Sequence, residues 1–333
     1  MEPVSDDPVP QGPVPQGPVP QGPVPQGPVP QGSVPQGAAA KDVTALRRFN
    51  RYFTRRIGVL DDRYLGQERP LGEARLLFEI TESDSGVSLR ELRVRLGLDA
   101  GYLSRLVKAL RAQGMVRLGV HPDDSRLRTV EPTPAGRAEV AEQNRRADGL
   151  VSGLLQGLAP DQRRRLTDAV TTAQRLLRLA AVTVTPVDAR APDARACLDA
   201  YAAELDARFP EGFDPADLVG PEEVSGDAGA FLVAYEEGRP AGCGALRRTA
   251  AGAGEIKHVW VHPGARRLGL ARRLLDALEG EAAARGLRVV RLDTHAVLTE
   301  ARAMYEASGY TEIPAYSDHV YAGHWFEKRL PKV

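Results

Sequence analysis

Apolar positions along the chain follow two rhythms. From Lys41 to about Leu179 they recur mostly at helical spacing with one strand-like interruption, and from Val182 onward strand-like and helix-like stretches alternate. In "VSLRELRVRLGLDAGYLSRLVKALRAQGMVRLGV" the pattern predicts two short helices and then a strand. Ser88, followed three residues later by Glu91, is a capping-box start, and Gly97 ends that helix. Asp99 caps the next, whose Leu103, Leu106, Val107 and Leu110 have the i, i+3, i+4, i+7 spacing of a buried face. Tyr102, Ser104, Arg105 and Lys108 then fall on the outward side or its edge. A hairpin follows, with Val116, Leu118 and Val120 on one strand, the turn "HPDDSR", and Arg126 and Arg128 at alternate positions of the return strand. Thr133 is a good N-cap for a further helix that has Pro134 at its first position.

In the second half, "AFLVAYEEGRPAGCGALRRT" reads as two strands turning at Gly238 and Pro240, and "GEIKHVWVH" has the β-branched and aromatic character of another. In "GLARRLLDALEGEAAARG", Leu270, Leu274, Leu275 and Leu278 share one helical face and Gly286 is the stop. Between strand and helix lies "PGARRLGLA". A glycine-bearing loop that opens a helix aims backbone N–H groups and the positive end of the helix dipole at one spot, which suits a pyrophosphate, although glycines before helices also serve simply as turns.

At 333 residues the chain is too long for one ordinary core, so two domains are expected. Residues 8–37 are five copies of "PVPQG" and one "SVPQG", which cannot build a core and predict an extended, disordered tail, either a plain leader or a docking segment for a proline-reading partner. The 44 basic and 44 acidic residues balance, so no overall field drives binding to nucleic acid or membrane, and any such contact must come from local patches. Cys197 and Cys243 fit neither a disulfide framework nor a metal site, and no H-E-x-x-H or Cys/His spacing occurs, so no metal is expected. No apolar run reaches the roughly 18 residues of a membrane span, and the N-terminus lacks the order of a signal peptide, so a soluble cytoplasmic protein is expected.

Helix, turn, helix and a two-stranded basic wing make a winged helix-turn-helix, and the stretch from about Asp42 to Leu179 resembles the multiple-antibiotic-resistance-regulator (MarR) family. The "DDSR" turn, with Asp124 and Arg126, is similar to that family's D-x-R wing, and "TPAGR" to the start of the helix after it. The resemblance implies a homodimer built through the outer helices, around "ALRRFNRYFTRRIGVL" and from "GLVSGLLQGL" to "VTTAQRLLRL". Such a dimer would read a pseudo-palindromic operator in double-stranded DNA with Tyr102, Ser104, Arg105 and Lys108 in the major groove and Arg126 and Arg128 on the wing. An amphipathic helix with exposed basic residues is, taken alone, also an ordinary solvated face.

Arg266, Gly269 and Ala271 form R-x-x-G-x-A, and the order of "EIKHVWVHP", loop, helix, "LRVVRLDTH" and "LTEARAMYEASGY" resembles the GNAT superfamily of N-acetyltransferases over about Val182 to Leu330. This implies a signature strand splayed from its neighbour, with acetyl-CoA as co-substrate in the opening. Val259 and Val261 would hold the pantetheine, and Arg266, Arg267, Leu268, Gly269, Leu270 and Ala271 the pyrophosphate. Tyr305 stands where the family commonly keeps the proton donor to the departing thiolate. Glu255 is the first choice of general base and His295 the second. The structural alternatives are an ordering salt bridge for Glu255 and packing against the cofactor's arm for Tyr305. Closer still, "YAAELDARFPEGFDP", "LDTHAVLTEA" and "YSDHVYAGHWFEKRL" are similar to a subgroup whose strand ends "LDTN" and whose final segment reads "YNDNPYA". Here His295 and Ser317 replace asparagines, and His319 and Val320 replace asparagine and proline, all at positions that should face the acceptor. Tyr201, Phe209, Tyr316, His319 and Tyr321 are expected to gather round it.

The expected architecture is therefore a disordered proline-rich tail (1–40), a mainly-α, dimeric MarR-like winged-helix domain (41–180) and an α/β GNAT fold with a mixed, splayed sheet (181–333). The function this implies is a DNA-binding transcription regulator that is also an acetyl-CoA-dependent N-acetyltransferase for a small-molecule amine. Two alternatives stay open: a non-catalytic acetyl-CoA-sensing regulator, and an acetyltransferase whose winged helix only dimerises.

Overall fold

The computed structural model describes residues 38–58, 64–66, 69–83, 86–120, 128–249 and 252–331. The PVPQG repeats and the wing turn with Asp124 and Arg126 lie outside the described residues. The chain divides into two compact units, one up to Arg137 and one from Ala138.

The first unit contains helices α1 (Ala38–Arg56), α2 (Leu71–Thr81), α3 (Leu89–Leu96) and α4 (Ala100–Ala112), and strands β1 (Val87–Ser88), β2 (Val116–Val120) and β3 (Arg128–Pro132). The helix boundaries follow local chemistry. Ser88 Oγ accepts from the Glu91 N–H at 3.1 Å, Gly97 turns left-handed at φ 62° to end α3, and Asp99 Oδ1 accepts from the Tyr102 N–H at 2.9 Å. Leu103, Leu106, Val107 and Leu110 are buried as their spacing predicts, against Leu76, Leu77 and Ile80 of α2 and Leu92 of α3 in the same core. β2 and β3 pair antiparallel as a wing, and β1 adds a third strand beside β3 that the hydrophobic pattern does not reveal. At two residues β1 is too short to show alternation. This is a winged helix-turn-helix.

The second unit carries most of α5 (Pro134–Gln156), then α6 (Pro160–Ala181) and a seven-stranded mixed sheet. Its strands are β4 (Thr183–Val187), β5 (Gly229–Glu236), β6 (Arg239–Arg248), β7 (Gly254–Val261), β8 (Val289–Thr294), β9 (Thr311–Ile313) and β10 (His324–Arg329), in the order β4-β5-β6-β7-β8-β10-β9. Helices α7 (Pro192–Arg208), α8 (Leu270–Ala284) and α9 (Thr299–Ala307) complete it. β5 is buried on both faces. Leu232 and Ala234 join the leucines of α8, whereas Phe231 and Val233 join Cys197 and Leu198 of α7, so the sheet is a central layer between helices.

Every pairing is antiparallel except that of β7 with β8, which holds for only two positions, Gly254 with Val290 and Glu255 with Arg291. Beyond Glu255 the two strands have no further paired positions and the sheet splays. The fold class matches the expectation in both halves. Among the described residues no helix is long and apolar enough to cross a membrane, and no group of three or more metal-ligating side chains is found.

Candidate active site and nucleic-acid interface

Where β7 and β8 part, side chains from both reach into the gap. Lys257 Nζ lies 2.8 Å from Asp293 Oδ2, with both side chains more than nine-tenths buried, and His319 Nδ1 lies 3.5 Å from Asp293 Oδ1. One pocket is lined by these three, by Tyr305 of α9, by Tyr201 and Leu205 of α7, and by Phe209, Phe213 and Tyr321. Four of the five side chains expected around the acceptor therefore meet: Tyr201, Phe209, His319 and Tyr321. Tyr316 is not among the lining residues; its hydroxyl donates to Glu255 Oε1 at 3.1 Å and its ring lies under the Arg291 guanidinium.

Glu255, the expected base, is 3% exposed and engaged on both oxygens, with Arg247 Nε donating to Oε2 at 2.5 Å. It too is outside the pocket lining. His295 does line the pocket, but its Nδ1 accepts from the Val297 N–H at 3.1 Å and its ring stacks on Phe209 at 4.1 Å. That tautomer leaves the proton on Nε2, which faces Glu211 at 3.1 Å. Tyr305 is buried, and desolvation, with Asp293 adding, pushes its phenol well above the ordinary tyrosine range. It stays protonated at physiological pH.

Lys257 and Asp293 were not singled out by sequence reasoning. The available signal was a lysine inside the apolar run "EIKHVWV", where an inward-facing charge demands a buried partner.

His258 marks a bulge in β7. Its φ is 54°, and the pairing of β7 with β6 shifts register beside it, between Cys243 and Ala245. The ring's Nε2 accepts from the Val219 N–H at 3.0 Å, and burial, then Lys257, lowers its pKa to about 3. A histidine held neutral in this way contributes stability above its ordinary value of 6.5, and that contribution is lost as pH falls from there toward 3. His258→Gln, which keeps an acceptor for Val219, is expected to flatten the acid-side fall of the melting temperature across that window, read by circular dichroism melts.

The loop before α8 has the features of an anion cradle. Gly269 is at φ 95°, a left-handed conformation that side-chain-bearing residues rarely adopt, and Arg267 takes φ 61° just before it. α8 starts with no side-chain cap and no acidic residue in its first turn, so its leading N–H groups and dipole are left for a ligand. Leu268 and Leu270 are buried in the core and anchor the loop, and Ala271 lies half-buried beyond them. Arg266 folds back, donating to the Val261 carbonyl at 3.0 Å and pairing with Glu204, so its side chain braces the strand end. Val259 and Val261 are half-buried on the splayed stretch of β7. These residues fit a CoA pyrophosphate and pantetheine arm.

On α4, Ser104, Arg105 and Lys108 are exposed, as is Arg128 at the start of β3. Tyr102, expected on the outward side, is half-buried; its hydroxyl packs close to Gly72 and its ring lies 5.8 Å from the Arg105 guanidinium. Arg126 lies outside the described residues.

A model of the acetyltransferase (GNAT) family matches residues 195–310, and one of the MarR family matches residues 69–127. An IAA acetyltransferase of Azospirillum brasilense is 40% identical over 83 residues, 25% of this chain and 54% of that protein. The uncharacterized N-acetyltransferase YsnE of Bacillus subtilis (strain 168) is 31% identical over 103 residues, 30% of this chain and 68% of YsnE. The HTH-type transcriptional regulator YdgJ of the same organism is 25% identical over 84 residues, 25% of this chain and 51% of YdgJ. The chain thus spans about half the length of the first and third of these relatives. It belongs to the GNAT acetyltransferase family through its second half and carries a MarR-family segment in its first.

Proposed function

We propose that the protein is a dimeric, DNA-binding transcription regulator that also transfers an acetyl group from acetyl-CoA to the amine of a small molecule. The observation that carries the enzymatic half is the splayed β7/β8 fork beside an uncapped helix start, with a buried, protonated Tyr305 in the same pocket. Acetyl-CoA supplies an activated thioester. Residues Arg266 to Ala271 would hold its pyrophosphate through backbone amides, Val259 and Val261 would line its arm, and Tyr305 would give its proton to the leaving sulfur. Glu255 serves this reading best as the anchor that fixes Arg247 and Tyr316 behind the site.

Dimerisation is supported by apolar side chains left exposed on the outer helices. Val43, Leu46, Phe49, Tyr52 and Phe53 of α1 and Leu166, Val170, Leu176 and Leu177 of α6 are each more than 40% exposed in the single chain. The DNA reading rests on Arg105, Lys108 and Arg128. Arg128→Ala is expected to weaken operator binding in fluorescence anisotropy and to lower the slope of log K against log salt by about 1. Unchanged affinity at moderate salt would leave the winged helix as a dimerisation element only. For the transferase, CoA thiol release from acetyl-CoA across a panel of amines is the direct test. Calorimetric binding of acetyl-CoA without release, together with a shift in DNA affinity, would identify a sensor instead.

A further inference from the structure

The acceptor side of the pocket has a composition of its own. Phe209, Phe213 and Tyr321 pack around one another with ring centroids 5.1–6.2 Å apart, and Tyr201 meets Phe213 edge-on at 6.0 Å. The Tyr321 hydroxyl accepts from the Asp214 N–H at 2.9 Å, so this wall is held in place. The lining includes two carboxylates, Asp217 and Asp293, against one ammonium, Lys257, which is already paired with Asp293. Two of the lining histidines do not restore the balance, because burial holds His258 neutral and also lowers His319. A cation is favoured in such a place, both by the net negative lining and by the faces of the rings. His319 Nδ1 is buried with no hydrogen-bond partner and points toward Asp293.

We infer that the acceptor is a primary arylalkylamine without a carboxylate, with the ring against Tyr201, Phe209, Phe213 and Tyr321, its ammonium drawn to Asp293, and His319 Nδ1 receiving its proton. This rests on the transferase reading above and names its substrate class. The ammonium gives its first proton to His319. The free amine forms the bond to the acetyl carbon as the carbon–sulfur bond breaks, and of the two protons lost in all, one leaves to solvent through His319 while the other ends on the CoA sulfur. Lining the pocket with His319 are Lys257 and His258 of β7, Asp293 of β8 and Asp217, and the Glu255 carboxylate acts on it from behind the site. Burial, then Lys257, outweighs the acids and holds the ring below the ordinary histidine range, which favours its neutral, proton-accepting form.

The test is thiol release by the full chain with phenylethylamine and tryptamine against hexylamine, spermidine, phenylalanine and a lysine peptide. The arylalkylamines are expected to exceed the others in kcat/KM by about tenfold, the contribution of one good aromatic contact. His319→Asn should lower kcat with phenylethylamine by about 100-fold, leave KM nearly unchanged and abolish the acid limb of the pH profile. Equal or better turnover of hexylamine, spermidine, phenylalanine or the lysine peptide overturns the ring-bearing cation while leaving the transferase intact. An unaltered pH profile in His319→Asn overturns the proton acceptor. No release with any amine overturns the transferase reading, and this inference with it.

Discussion

Replacing Tyr305 by Phe is expected to cut the rate of acetyl transfer by about 100- to 1,000-fold while acetyl-CoA still binds, because a positioned proton donor supplies an effect of that size. The substitution removes one oxygen and keeps the ring, which packs within 6.0 Å of both Tyr310 and Phe326 in the core. Burial that raises the phenol also penalises a free thiolate in the same pocket, so the proton is held until the sulfur needs it. Single-turnover thiol release with calorimetric binding of acetyl-CoA separates the two effects. Lost affinity with an unchanged transfer rate would mean that the ring only packs against the co-substrate.

The second large effect concerns the ion pair across the fork. Asp293→Ala leaves the buried Lys257 ammonium with only the Glu255 carboxylate, at 4.0 Å, in place of the partner at 2.8 Å, and such a break costs up to about 3–5 kcal/mol. Replacing both, Lys257→Met with Asp293→Leu, removes the stranded charge along with the pair, and should cost far less stability or none. Chemical denaturation of the single and double variants checks this. The double variant should nonetheless lose acetyl transfer, since the carboxylate that attracts the amine is gone. A double variant as unstable as Asp293→Ala would show that the pair holds the fork together; one that keeps full turnover would remove Asp293 from acceptor binding.

Much of the fold was legible along the chain because its causes are local. Ser88, Gly97 and Asp99 mark helix ends through bonds to backbone three residues away or through a left-handed turn, and Leu103 to Leu110 fall on one face through the helical repeat alone. The loop "PGARRLGLA" could be read the same way. The site was less legible. Glu255 looks like a base at the head of a strand, yet Arg247, eight residues before it, and Tyr316, sixty-one after it, take up both its oxygens. Arg247 faces Glu255 directly across the β6/β7 ladder, but no spacing rule brings Tyr316 to either.

By itself the sequence determined the winged helix and the order of strand, glycine loop and helix around Gly269. These follow from short-range capping, periodicity and turn chemistry, where a few neighbouring residues decide the outcome. Only the tertiary structure decided which polar groups meet: Lys257 with Asp293 and His319, Glu255 with Tyr316, and His258 with the Val219 N–H. A titratable group's state depends on desolvation and on charges within a few ångströms, and neighbours such as Asp293, Tyr316 and His319 reach β7 from segments far along the chain, which local pattern does not encode.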